Sequence, residues 1–237
     1  MAPPLLIYCA GASRQFADIA LAAGFVYGCR SDHKPNHPVR FADLNWKTPD
    51  LDQHHAFVRA HQPTLAVAPD VLELATLDAT LRYAETLAQW AQYVIVVPKA
   101  VGVLDRLPRE PWLVIGYSVP TKYGGTDLLM AELDGWPVHL LGGSPGKQLN
   151  LADYLNVVSA DGNAAARAAE YGSVFDARTR RWQRSVEPLG PDLPYRAFAR
   201  SCEQIVRAWG GPEPIAARDG EASSATSRAP RQSSWQA

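Results

Sequence analysis

The sequence predicts an α/β fold, a single (β/α)8 TIM-barrel-like domain, on three observations. Short, continuously apolar runs recur along the chain, helical patterns separate several of them, and nearly every run ends in a polar or glycine-containing tip. Continuous rather than alternating hydrophobicity suits strands covered on both faces of a parallel sheet. The order strand, helix, strand implies right-handed crossovers between parallel neighbours. Seven clear runs and a weaker eighth come close to what a closed barrel needs. An open, doubly wound parallel sheet carries the same signature and stands as the alternative.

In chain order, the strand candidates are 5–9, 25–29, the weaker 39–41, 65–68, 93–97, 112–116, 137–141 and 155–159. A helix is predicted over 14–23, with Ser13 as N-cap and Gly24 as terminator. A second is predicted over 74–92, where Leu77, Leu81, Ala84, Leu87, Ala88 and Ala91 form an apolar stripe at helical spacing. A third, over 163–171, is alanine-rich and stops at Gly172. The catalytic domain is placed at 1–212. Beyond Gly210-Gly211-Pro212 the composition turns to Ala, Ser, Arg and Pro, and 213–237 is predicted to be a disordered tail, because it has too little apolar surface to offset its ordering entropy.

With 237 residues, the chain is long enough for one sizeable core. A net charge of −1 excludes a globally basic nucleic-acid binder, so a polyanion would have to meet a local basic patch. Cys9, Cys29 and Cys202 are scattered, which gives neither a disulfide framework nor a zinc spacing, and no metal is expected. Met1-Ala2-Pro3-Pro4 precedes an apolar run too short for a signal core or a membrane span. A cytoplasmic protein without membrane contact is the expectation.

In parallel α/β folds, chemistry gathers where strands end and loops begin. Asp161 follows an apolar strand and precedes Gly162-Asn163, so it is either a nucleophile or general base, or a cap for the next helix. Asp70 follows Ala68-Pro69 and either accepts paired N–H donors from a ligand or caps a helix starting near Val71. Gly142-Gly143-Ser144-Pro145-Gly146-Lys147 approaches a phosphate-loop pattern, but Gln148 stands where Ser or Thr is required. The glycine pair offers either close backbone approach to a ligand or a tight turn. Further rim candidates are Ser13, Lys99, Gly116, Tyr117 and Asn163, with the polar loop 117–126 as a binding loop or an ordinary surface loop. Arg178, Arg180, Arg181 and Arg184, with Trp182 among them, form the densest basic patch, which is either a phosphate-holding surface with a stacking aromatic or a solvated face. Histidines 33, 37, 54, 55 and 61 lack metal-ligand spacing and are expected on a loop or helix surface, whereas His139 is expected to be a satisfied core histidine.

Three short segments carry a family resemblance: Val67-Ala68-Pro69-Asp70-Val71, His139-Leu140-Leu141-Gly142-Gly143-Ser144-Pro145 and Val158-Ser159-Ala160-Asp161-Gly162-Asn163. By these, and by the order of elements over residues 5–185, the chain resembles the tRNA-guanine transglycosylase superfamily, especially its small phage and bacterial relatives that act on DNA with 7-deazaguanines. The resemblance implies a (β/α)8 barrel performing base exchange. It implies Asp161 as the nucleophile on C1′, Asp70 as reader of the base edge, and backbone contacts from Gly116, Gly142 and Gly143. Lys99 falls where the larger members carry a base-reading glutamine, and their Cys/His zinc subdomain is missing here. Their Asp-Ser-Gly-Gly motif after the first strand is replaced by Ala10-Gly11-Ala12-Ser13, so no acid/base partner is assigned. The implied partners are DNA (or tRNA), a 7-deazaguanine base such as preQ0, and helper proteins; no cofactor is implied. For a phage protein, the setting would be the host cytoplasm.

Two other functions remain open on the sequence. One is a barrel enzyme acting on a small metabolite or sugar phosphate; the other is a non-catalytic DNA-binding module using residues 178–184. Convergence of polar residues on one rim favours an enzyme, since a binding module does not require it.

Overall fold

The structure, a computed structural model, describes residues 3–9, 13–121, 125–126, 128–186 and 190–211. The predicted tail at 213–237 lies outside the described residues. Eight parallel strands close on themselves in sequence order: β1 (Leu5–Tyr8), β2 (Val26–Arg30), β3 (Phe41–Asp43), β4 (Leu65–Val67), β5 (Tyr93–Val96), β6 (Leu113–Ser118), β7 (Val138–Leu141) and β8 (Val157–Gly162). Closure is made by β8 against β1, where Ile7 pairs with Asp161 and Tyr8 with Gly162. The barrel is therefore the observed solution, and the open doubly wound sheet is excluded.

Helices follow only some strands among the described residues. They are α1 (Arg14–Ala22) after β1, α2 (Leu51–His61) after β3, α3 (Leu77–Ala88) after β4, α4 (Pro145–Ala152) after β7, and α5 (Ala164–Glu170) after β8. The helix predicted over 74–92 is shorter than expected. Leu74–Thr76 is a 3-10 turn and α3 ends at Ala88, where Gln89 takes the C-cap position. α2 was not predicted. Asp50 starts it, its carboxylate accepting from Gln53 N at 2.9 Å. His54 on its inner side is fully buried, contrary to the expected surface position, and burial lowers its pKa to about 4.

After α5 the chain forms an antiparallel hairpin, β9 (Ser173–Asp176) and β10 (Arg181–Arg184), then α6 (Leu193–Ala208). α6 buries Ala197, Phe198, Ser201, Cys202 and Ile205, the three-and-four spacing of one helical face. Phe198 packs on Tyr8 of β1 and edge-on against Phe16 of α1, at centroid distances of 5.6 and 4.9 Å. The Ser201 hydroxyl accepts from Phe175 N at 3.0 Å and donates to Ala197 O at 2.8 Å, which fixes α6 to β9.

The barrel interior is a separate apolar core of Ile7, Phe41, Leu65, Val67, Ile95, Val97 and Val114. Alternation along each strand puts the intervening residues outward, against the helices. Truncating the fully buried Phe41 to Ala is expected to cost about 3–5 kcal/mol. Gly116 is part of this interior: a Cβ there would lie 2.7 Å from Val97 Cγ2 and 2.8 Å from Ile95 Cγ2. Packing requires glycine at this position, whatever its backbone contacts. No helix among the described residues is long and apolar enough to cross a membrane.

Candidate functional site

Above the apolar plug, the next inward positions become polar. Two residues beyond Phe41 on β3 stands Asp43, two beyond Gly28 on β2 stands Arg30, and two beyond Gly116 on β6 stands Ser118. Ser159 and Asp161 alternate in the same way on β8. Cys9, just past β1, packs on the interior core, and Asp70 and Lys99 follow β4 and β5. One ring of strand ends thus brings three carboxylates, two cations, a thiol and hydroxyls together at the C-terminal mouth of the barrel.

Asp161 is held on one oxygen. Its Oδ1 accepts from Gly142 N at 3.0 Å and lies 3.3 Å from His139 Nε2, which makes no in-line hydrogen bond. Among the described residues, Oδ2 has no hydrogen-bond partner. The positive φ of Gly142, +66°, is a conformation that favours glycine and sets the turn that presents this amide. Gln148 of α4, itself buried, donates Nε2 to both Gly142 O and Asp161 O, each at 2.7 Å. That brace ties the ends of β7 and β8 together. Helix capping, the alternative reading for Asp161, is not what it does: Asn163 occupies the N-cap of α5, without a side-chain cap bond.

His139 corrects a second expectation. It is fully buried and its ring stacks on Phe41 at 5.3 Å, but it is not merely a satisfied core residue. Nδ1 meets Ser159 Oγ at 2.8 Å, and Nε2 faces the Asp161 carboxylate.

Asp43 was not singled out by the sequence reading. Its pKa rises to about 7, chiefly through burial and secondly through the negative charge of Asp161, with Asp70 adding and Arg30 opposing. Two carboxylates that repel one another while one stays protonated near neutrality form the pattern of an acid/base residue beside an ionised partner. Cys9 feels the same charges: burial first, then Asp43 and Asp161, push its thiol far up, so it is not a thiolate nucleophile.

On the opposite side of the mouth, Lys99 Nζ donates to Ser118 Oγ at 2.5 Å and to Gly125 O at 3.1 Å, and lies 3.8 Å from Asp70 Oδ2. Burial raises the Asp70 pKa while Lys99 opposes the rise. No helix begins near Val71, which instead forms a bridge with Pro98, so Asp70 is not a helix cap either. The pair faces the mouth as one acceptor beside one strong donor.

Other candidates have different occupations. Tyr117 is buried on the outward side of β6 among the helices, because its inward neighbours are Gly116 and Ser118. Ser13 caps α1, accepting from Phe16 N at 3.4 Å, and Ser144 caps α4, accepting from Lys147 N at 3.4 Å. Gly143 is a packing glycine whose Cβ would sit 2.5 Å from Val119 Cγ1. Residues 122–124 of the expected binding loop lie outside the described residues.

The basic patch is thinner than its sequence count. Arg180 is paired to Asp153 Oδ2 at 2.6 Å and to Asn150 Oδ1 at 2.9 Å, and Trp182 packs edge-on against Phe175 at 5.5 Å instead of standing free to stack. Arg178, Arg181 and Arg184 remain exposed on the hairpin. Among the described residues, no group of three or more His, Cys, Asp or Glu is placed to hold a metal ion.

The sequence model of a family described as a family of unknown function (DUF6610) matches residues 20–210. No curated protein matches the chain.

Proposed function

The chain belongs to the DUF6610 family, whose function is unknown, and from the chemistry of the rim we propose that it is a transglycosylase that exchanges a guanine base in nucleic acid, with DNA as the preferred polymer, for a 7-deazaguanine. The observation that carries the reading is the pairing of Asp161, restrained among the described residues through one oxygen, with Asp43, whose pKa lies near 7. In the first half-reaction Asp161 Oδ2 attacks C1′, the C1′–N9 bond breaks, and its electron pair leaves with guanine. Asp43 gives its proton to the departing base. The product is a glycosyl ester on Asp161, as in retaining glycoside hydrolysis. In the second half the incoming base gives its N9 proton to the Asp43 carboxylate. Its nitrogen then attacks C1′ and the ester bond breaks, returning Asp161 as a carboxylate. Protons and charge balance without a nucleotide or redox cofactor.

Asp70 and Lys99 complement a purine edge that carries N–H donors next to a carbonyl acceptor. Arg178, Arg181 and Arg184, exposed on the hairpin, would hold phosphates. In a duplex the target nucleotide has to be flipped out, at about a few kcal/mol.

One observation favours a second reading. With Arg180 committed to Asp153 and Trp182 packed on Phe175, the hairpin is a weak polymer-binding surface, as a small-metabolite barrel enzyme would have. The test is incorporation of radiolabelled guanine into duplex DNA and into tRNA, by wild type and by Asp161→Asn. Label entering DNA with wild type alone supports the proposal, and label entering only tRNA changes the polymer. No label in either, from folded protein that also accepts no preQ0-type base, overturns it in favour of the small-metabolite enzyme.

A further inference from the structure

The interior of the barrel holds one more polar group that the proposed exchange does not use. His139 on β7 and Ser159 on β8 are register partners across neighbouring strands, and both are buried to 1 % exposure or less. Ser159 stands two residues before Asp161 on the same inward face, so the three side chains form a column that rises from the apolar core to the mouth. A neutral imidazole carries one N–H, on either Nδ1 or Nε2. If Nδ1 held it and donated to Ser159 Oγ, the Nε2 lone pair would face the Asp161 carboxylate at 3.3 Å, two acceptors opposed in a buried place. With Ser159 donating to Nδ1 instead, Nε2 bears the proton and faces Asp161 Oδ1 at 3.3 Å, off the line of a hydrogen bond.

We propose that Ser159 and His139 form a tautomer lock that makes His139 a positioning residue for Asp161, and that its Nε2–H, together with the Gly142 amide, receives the charge returning to Oδ1 when the glycosyl ester breaks. The functional half of this inference rests on the transglycosylase reading, whereas the tautomer does not. With Oδ1 bonded to the Gly142 amide and faced by Nε2, Oδ2 is the oxygen that bonds to C1′. In the ester Oδ1 is a carbonyl oxygen. As the C1′–Oδ2 bond breaks, the electron pair returns to the carboxylate and negative charge grows on Oδ1, where both donors already stand. The present contact with Nε2 is not in line, and it tightens as the ester forms and breaks, as apo catalytic contacts do.

Long-range 1H–15N correlation spectra of the histidine side chains test the lock without any substrate. The wild type is expected to show His139 as the Nε2–H tautomer, and Ser159→Ala to shift population toward Nδ1–H. A wild-type Nδ1–H tautomer overturns the lock. In the exchange assay, His139→Leu is expected to lower kcat by about 10²-fold with KM little changed. His139→Gln, which places an amide N–H near the position of Nε2, is expected to recover most of that loss. Retention of wild-type kcat by folded His139→Leu, or equal loss in the Leu and Gln variants, overturns the functional half. A wild type with the predicted tautomer but no exchange on any polymer overturns the transglycosylase reading while the lock stands.

Discussion

The two ends of this barrel differ in kind. At the N-terminal end, a hollow of about 1430 Å³ opens between the strand starts and the ends of α1 and α6, lined by residues such as Pro4, Leu5, Ala22, Tyr93, Val157 and Trp209. It is roomy and mostly apolar, and the charged side chain on its wall is Glu203. The C-terminal end has Asp43, Asp70, Asp161, Lys99, Arg30 and His139 converging on one mouth, where burial raises the pKa values of Asp43 and Asp70. Volume and chemistry are therefore separated along the axis. The difference teaches that the direction of the strands, more than the size of a cavity, locates reactivity in a parallel barrel: the residues that leave a strand at its C-terminal end are free to be polar, because the core below them is already filled.

The contrast is broken or sharpened by substitution, taken from the largest effect to the smallest. Asp161→Asn is expected to lower exchange by at least about 10³-fold while leaving the melting temperature nearly unchanged, as measured by label incorporation and calorimetry. Asp43→Asn is expected to lower kcat by about 10²–10⁴-fold and to remove the limb near pH 7 from the pH–rate profile.

The Asp43 substitution also has a stability consequence with a definite sign. The folded-state pKa of Asp43 is raised above its unfolded value, so the native state holds a proton that the unfolded chain releases at lower pH. Stability from this group is present at acid pH and is lost as pH rises through about 7. Asp43→Asn should therefore stabilise the protein above pH 7, by up to about 4 kcal/mol, and bring little gain near pH 4. Denaturant midpoints at the two pH values check this; an equal effect at both would mean that Asp43 is not a buried, protonated acid.

Smaller effects follow at the edges of the site and at the other end of the barrel. Lys99→Ala is expected to raise KM for the incoming base, by about 1–3 kcal/mol of lost binding, while Asp161 chemistry persists. Arg181→Gln is expected to leave kcat at saturation unchanged and to flatten the salt dependence of polymer binding by about one phosphate contact. Thr64→Val in the N-terminal hollow should alter stability by less than about 1 kcal/mol and exchange not at all. A Thr64 variant that impaired exchange would contradict the division between the two ends.

The architecture was largely legible in the sequence because buried parallel strands are continuous apolar runs with polar tips, and those tips supplied Asp70, Lys99 and Asp161. Asp43 was missed because β3 has only three residues, Phe41–Asp43, and so shows no run. Its signal was the two-residue step from Phe41 to an acid, readable only once the strand is known. Tyr117 was misassigned for a related reason: strand parity puts it outward once Gly116 is inward, and a list of strand ends ignores parity. The arginine count could not reveal that Asp153, 27 residues before Arg180, takes its charge. His139 looked like a core histidine because it is one by burial; only the register across β7 and β8 shows that its second nitrogen faces Asp161.

The central claim is that Asp161 bonds covalently to the sugar. The most direct measurement is to denature the protein during turnover on guanine-containing nucleic acid and map the cross-linked peptide by mass spectrometry. The account predicts a nucleic-acid adduct on Asp161 in the wild type and none in Asp161→Asn. Base exchange that proceeds with no adduct, or with the adduct on another side chain, would contradict it.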